Sequence, residues 1–170
     1  RNYAILTLMV TGGLRTIEVS RANIEDVRIL GDSTVLYIQG KGRDEKTEYV
    51  KLPFEVEEAI RDYLNCLGKV DVKSPLFSST SNNNKRQRLS TRTISGIVKE
   101  CLINAGYNSD RLTAHSLRHT TATTNLLNGG TLEETQQLLR HSNINTTMVY
   151  LHHMQRENNK SEERIAKAIF

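Results

Sequence analysis

Apolar residues recur at helical spacing from the start of the chain, where Tyr3, Ile5, Leu6, Leu8 and Met9 form one run that Gly12 and Gly13 interrupt. A second, short helix is expected over residues 14–22. The period then changes. Residues 25–30, 34–39 and 47–52 are rich in Val, Ile and Tyr, and Gly31-Asp32 and Gly40-Lys41-Gly42 separate them, which predicts three short strands joined into a small antiparallel sheet. After Pro53 the helical spacing returns: Val56, Ile60, Tyr63, Leu64 and Leu67 make one stripe, ended by Gly68. Residues 73–88, with Pro75-Leu76-Phe77 and an Asn/Ser tract, read as a loop and as the segment expected to be mobile. Helices are expected over residues 91–105, 113–128 and 131–139. The last opens with Thr131 and Glu134 at the spacing of a capping box. Short helices around 143–150 and 161–169 complete the pattern. The reading is a mainly helical α+β domain over residues 1–170, with one small three-stranded antiparallel sheet and no internal repeat.

The first helical run begins at Arg1 with neither an initiator methionine nor a capping residue, so the sequence is expected to be a piece of a longer protein. At 170 residues it is long enough for one substantial core. Hydrophobic residues at 37%, charged residues at 25% and a mean hydropathy of -0.48 fit a soluble globular protein. No stretch approaches the roughly 18 apolar residues of a spanning helix and no signal peptide is visible, so a cytoplasmic protein without membrane contact is expected. Cys66 and Cys101 are too few for a disulfide framework and lack metal-ligand spacing; both read as buried or half-buried thiols. The charge of 23 − 19 = +4 permits a nucleic-acid partner without requiring one. Its placement is more informative. Lys41, Arg43 and Lys46 surround a glycine-flanked turn, and Lys85, Arg86, Arg88 and Arg92 follow the polar loop, as solvated faces or as phosphate contacts.

The candidate chemistry lies in one ordered set. A-H-S-L-R-H-T, L-L-R-H-S and T-T-M-V-Y place His115 three residues before Arg118, Arg118 23 before His141, and His141 nine before Tyr150. Nearer the front, G-G-L-R-T-I-E carries Arg15 and Glu18, and G-K-G-R carries Lys41. This order and spacing resemble the tyrosine recombinase (integrase) family, including its Xer-like members, over residues 11–150. V-K-L-P after the third strand and P-L-F ahead of the loop are smaller matches. The second glycine of T-G-G-L-R, where many relatives have one, reads as neutral, and His141 is histidine where some relatives carry tryptophan.

Breaking a phosphodiester requires stabilising added negative charge, and two guanidinium forks suit that task because they stay charged and donate in a plane. Arg15 and Arg118 are the pair available, in place of a metal; for Arg15 a plain ion pair with Glu18 one turn away stays open. The resemblance implies that Tyr150 is the nucleophile, that it forms a covalent 3′-phosphotyrosyl bond, and that neither metal, cofactor nor ATP is needed. It assigns proton transfer to the leaving oxygen to Lys41 and a supporting role to Glu18. A phenol is mostly protonated at neutral pH and needs an acceptor, for which His115 is the candidate, with His141 donating to the phosphate. Arg43, Lys46, Lys85, Arg86, Arg88 and Arg92 are expected to contact the DNA backbone, and the helix opening at Thr91 to approach a groove. The pair His115 and His119 does not read as a zinc site, since Ser-Leu-Arg separates them with no glutamate in place. His152 and His153 are expected at the surface.

The resemblance further implies double-stranded DNA as partner, a separate N-terminal DNA-binding domain outside this sequence, and a homo-tetramer on DNA coupled by an exchanged C-terminal tail. In isolation the domain is expected to be a monomer with that tail packed on itself. An inactive DNA-binding relative and a type IB topoisomerase-like enzyme remain as alternatives. Mobile-element integrase and chromosome-dimer resolvase are equally compatible.

Overall fold

The computed structural model describes every residue except 41, 43, 83, 84 and 158, and for 153, 154 and 157 the backbone alone. Lys41 and Arg43 therefore lie outside the described residues. The chain divides into two compact units, Arg1–Thr121 and Ala122–Phe170.

The first unit opens with α1, Asn2–Gly12, which buries Ala4, Ile5, Leu8 and Met9. A helix this apolar needs partners around it. Both glycines at its end have a use. Gly13 caps the helix in the left-handed region at φ 57, and a Cβ on Gly12 would meet the buried Leu14 side chain at 2.4 Å. The glycine pair, whose second member was expected to be neutral, thus supplies a close-packing position at Gly12 and a helix cap at Gly13. Helix α2 is Thr16–Arg21, followed by a 3-10 turn, Ile24–Asp26.

Strands β1 (Val27–Leu30), β2 (Ser33–Ile38) and β3 (Glu48–Lys51) form the antiparallel sheet in the order β1-β2-β3, with Leu36 opposite both Val27 and Val50. Leu36, Ile38 and Val50 face the core, and Tyr37 and Tyr49 pair across the other face with ring centroids 5.7 Å apart. The first strand begins later than its sequence predicts. Asp26 is buried, accepts from the Asn23 amide at 2.6 Å and pairs with Lys46, and this holds Glu25 and Asp26 in a turn instead of a ladder.

Helix α3, Phe54–Leu67, buries the Val56, Ile60 and Tyr63 stripe, and α4, Thr91–Asn104, is capped by the Ser90 hydroxyl accepting from Thr93 N at 3.1 Å. The expected mobile segment between them is pinned at its front. Leu76 and Phe77 are buried, Leu76 N donates to Ala22 O at 2.9 Å, and Phe77 stacks on Tyr63 at 5.6 Å. Two large apolar side chains draw this piece of chain into the core.

Helix α5 spans Ala114–Leu127. In the second unit, α6 (Leu132–Leu139) starts with the expected capping box, in which Glu134 N donates to Thr131 Oγ1 at 3.1 Å and Thr131 N to Glu134 Oε2 at 2.7 Å. Helix α7, Asn145–Glu157, continues well past Tyr150 instead of ending there. The small core of this unit comprises Ala122, Leu139 and Tyr150, with Leu126 against it. Helix α8, Ser161–Ile169, buries no residue, and Ile165, Ile169 and Phe170 are exposed. Among the described residues no helix is long and apolar enough to cross a membrane. The mainly helical α+β architecture with one small sheet agrees with the sequence pattern.

Candidate active site

Gly13 turns the chain out of α1 so that Arg15, two residues on, becomes the N-cap of α2 in an extended conformation. Glu18, three residues later and wholly buried, then reaches back. Its carboxylate accepts from the Arg15 amide and from Arg15 Nη1, each at 2.8 Å. One carboxylate thus caps the helix and fixes the guanidinium, with charge-assisted bonds on both oxygens. The ion pair suggested by the spacing is present, and it orients Arg15, whose side chain stays one-third exposed.

Arg118 reaches the same place from α5. It is 3% exposed, and Nη1 donates to the carbonyl of Gly13 at the end of α1, where the helix dipole favours a cation. His115, one turn earlier, is exposed. Arg15, His115 and Arg118 line one cleft of about 350 Å³, together with Thr16, Ser95 and Thr113. Those three hydroxyl residues were not singled out from the sequence; Thr16 and Thr113 adjoin the motifs that carry Arg15 and His115, while Ser95 comes from α4, far along the chain. The His115 and His119 rings meet edge to face at 4.7 Å, an aromatic contact. Among the described residues no group of three or more His, Cys, Asp or Glu side chains could hold a metal ion.

The second unit holds the remaining members of the set. Arg140 ends α6 in the left-handed region at φ 54, and His141 N donates to Gln136 O at 3.1 Å while Gln136 Nε2 donates to His141 O at 3.0 Å. Both main-chain groups of His141 are thereby fixed. Its ring is fixed as well: Nδ1 and the hydroxyl of Thr147, a fully buried residue on α7, are hydrogen bonded at 2.9 Å. Thr147 was not foreseen, although it lies in the T-T-M-V-Y run that pointed to Tyr150. One turn further along α7, Tyr150 is 8% exposed beside Ala122 and Leu139.

The expected DNA-contact residues divide. Arg88 donates to Ser20 O at 2.6 Å, to Ala22 O at 3.1 Å and to Asn23 Oδ1 at 2.5 Å, and Lys46 pairs with Asp26. These two are committed inside the fold. Arg88 is exposed as are Lys85, Arg86 and Arg92, but it alone of these four makes several short bonds to the fold; Arg86 has a positive φ of 65 and a long contact from Nη2 to Leu67 O at 3.4 Å. Cys66 is exposed, against expectation, and burial pushes the half-buried Cys101 thiol up, with Glu100 adding to the shift.

The fold is that of a tyrosine recombinase catalytic domain. The family model described as the phage integrase family matches residues 1–157, and the chain belongs to that family. It is 36% identical over 155 residues to a tyrosine recombinase XerC of Caldanaerobacter subterraneus subsp. tengcongensis, covering 89% of this chain and 41% of that relative. A crystal structure of XerA recombinase superposes with a TM-score of 0.75 at 30% identity over 94% of this chain and 58% of that one. A post-cleavage complex of XerH site-specific recombinase bound to palindromic difH substrate gives 0.74 at 25% identity, over 99% of this chain and 45% of that one. The chain spans about half the length, or less, of the curated relatives it matches.

Proposed function

We propose that residues 1–170 are the catalytic domain of a site-specific DNA recombinase, of integrase or Xer-like type, acting in the cytoplasm through a covalent 3′-phosphotyrosyl intermediate. The observation that carries this reading is the cleft in which Arg15 and Arg118 are each anchored by an internal acceptor, beside His115. Two immobilised guanidiniums meet the charge growing on the non-bridging oxygens of a phosphodiester at little reorganisation cost. In the proposed step Tyr150 Oη attacks phosphorus, the bond from phosphorus to the 5′-oxygen breaks, His115 takes the phenolic proton, and Lys41 protonates the departing 5′-oxygen. His141 donates to the phosphate. Energy of the phosphodiester is kept in the phosphotyrosyl bond, so rejoining by the 5′-hydroxyl needs no ATP, and the arginine pair supplies charge without a metal.

Double-stranded DNA is the proposed partner, held through backbone contacts by Lys85, Arg86 and Arg92 and by the hairpin that carries Lys41 and Arg43. A further DNA-binding domain in the full-length protein would complete the grip. The exposed apolar side of α8, with Ile165, Ile169 and Phe170, supports docking of the tail on a neighbouring copy in a tetramer on DNA. The test is a denaturing gel of the full-length protein on a nicked substrate that traps the covalent intermediate. A shifted band lost in Tyr150→Phe is expected. Trapping at many sequences would instead indicate a topoisomerase-like enzyme, and no band on the element's own ends an inactive binding protein.

A further inference from the structure

Arg15 follows the end of α1 and Arg118 comes from α5, and one residue outside the catalytic set ties the end of α1 to α5. Thr121, on α5 one turn after Arg118's own turn begins, is buried, and its hydroxyl donates to Val10 O in the last turn of α1 at 2.7 Å. The alternative acceptor is Leu117 O, one turn back in α5, at 2.9 Å. A threonine hydroxyl has one proton to give, so the tertiary bond to α1 competes with the local back-bond. Carbonyls in the last turn of a helix lack intrahelical amide donors and accept from outside. Val10 O and Gly13 O, both at this end of α1, thus receive Thr121 and Arg118, three residues apart on one side of α5.

We propose that Thr121 is a positioning residue for the arginine pair, an inference that rests on the recombinase reading above. Its hydroxyl fixes the end of α1 on α5. Gly13 O then stays where Arg118 donates to it, and Arg15, two residues beyond Gly13, stays on the facing wall of the cleft. Without the hydroxyl the hydrocarbon packing of residue 121 persists while the carbonyl that aims Arg118 is released. Small displacements of charge-positioning groups cost rate rather than binding.

The experiment compares full-length wild type, Thr121→Val and Thr121→Ser in single-turnover cleavage of the nicked substrate, with DNA affinity and melting temperature measured on each. Thr121→Val should slow cleavage about tenfold at unchanged affinity, and Thr121→Ser should restore the rate to within about twofold. An unchanged rate in Thr121→Val, or a loss that serine does not restore, would overturn the proposal. Should Thr121→Val fail to fold, Thr121→Cys, a poor donor of similar size, takes its place with the same expected loss. The Arg118 Nε–H resonance in the free protein reads the same point without any reaction: it should shift in Thr121→Val and not in Thr121→Ser. If wild type does not cleave, the recombinase reading fails, and an Arg118 resonance indifferent to residue 121 removes the positioning role as well.

Discussion

A wholly buried carboxylate that accepts from both the amide and the guanidinium of one arginine does two jobs at once, and Glu18 can be tested on each. Glu18→Ala leaves the N-terminus of α2 without its cap and Arg15 without its anchor. It should cost about 1–3 kcal/mol in chemical denaturation, the usual range for a buried partner left unmatched. Glu18→Gln, which keeps an acceptor but not the charge, should lose less stability than Glu18→Ala. His141 offers the complementary case. Thr147→Val preserves a buried, branched side chain but removes the hydroxyl bonded to Nδ1, and single-turnover cleavage should fall about tenfold with DNA affinity unchanged. Equal rates for Thr147→Val and wild type would show that the ring is held without Thr147. The link between Arg15 and Glu18 was legible in the sequence because it is local, three residues within one turn. The acceptor of Arg118 was not, since Gly13 is 105 residues away and a backbone carbonyl leaves no mark on composition.

At the scale of elements, period and caps carried the helices, and the capping box at Thr131 is formed as its spacing indicated. Errors arose where tertiary burial overrode local character. Residues 73–88 look polar and loop-like, yet Leu76 is wholly buried and its amide pairs with Ala22 O, so Leu76→Ala should destabilise the protein by about 2–5 kcal/mol, as core truncations do. A cost below about 0.5 kcal/mol, the range of ordinary surface changes, would mean that the segment is not part of the core. The joint between α7 and α8 is held by weaker means. Arg156 Nη2 and Glu162 Oε1 are 2.6 Å apart, both largely exposed. The hydrogen bond from Arg156, and then one from its own backbone amide, hold the Glu162 carboxyl below its ordinary range. Because the folded value is depressed, the contribution of the pair is present above the unfolded carboxylate range and fades as pH falls through the folded value. Exposure means that salt weakens it too. An NMR titration should find the Glu162 carboxyl midpoint raised in Arg156→Gln and raised by added salt in wild type; a midpoint indifferent to both would show that the pair does not form in solution.

For the whole molecule, a net charge of +4 says little until each cation is asked what already occupies it. Arg88 stands in the same sequence cluster as Lys85, Arg86 and Arg92, and Lys46 in the one around the glycine-flanked turn, yet Arg88 and Lys46 fasten loops to the body of the domain. Sequence clustering cannot separate these uses, because both call for a cation next to a turn. The separation is measurable. Arg92→Ala, in the exposed first turn of α4, should weaken DNA binding uniformly across sequences and lower the magnitude of the salt slope by about one, whereas Arg88→Ala should lower the melting temperature instead. A salt slope that Arg92→Ala leaves unaltered would remove α4 from the interface. The tail poses the larger question of how copies combine. An amphipathic helix that buries nothing, ending in Ile169 and a fully exposed Phe170, keeps apolar surface in water at a cost of roughly 25 cal/mol per Å². A partner surface relieves that cost when copies are brought together, and DNA supplies the concentration that a dilute solution does not. Deleting residues 161–170 should therefore leave a monomer in solution unchanged while preventing the tetramer on DNA, as read by mass measurement of the two states. Unchanged assembly on DNA after the deletion would place the contact between copies elsewhere on the domain.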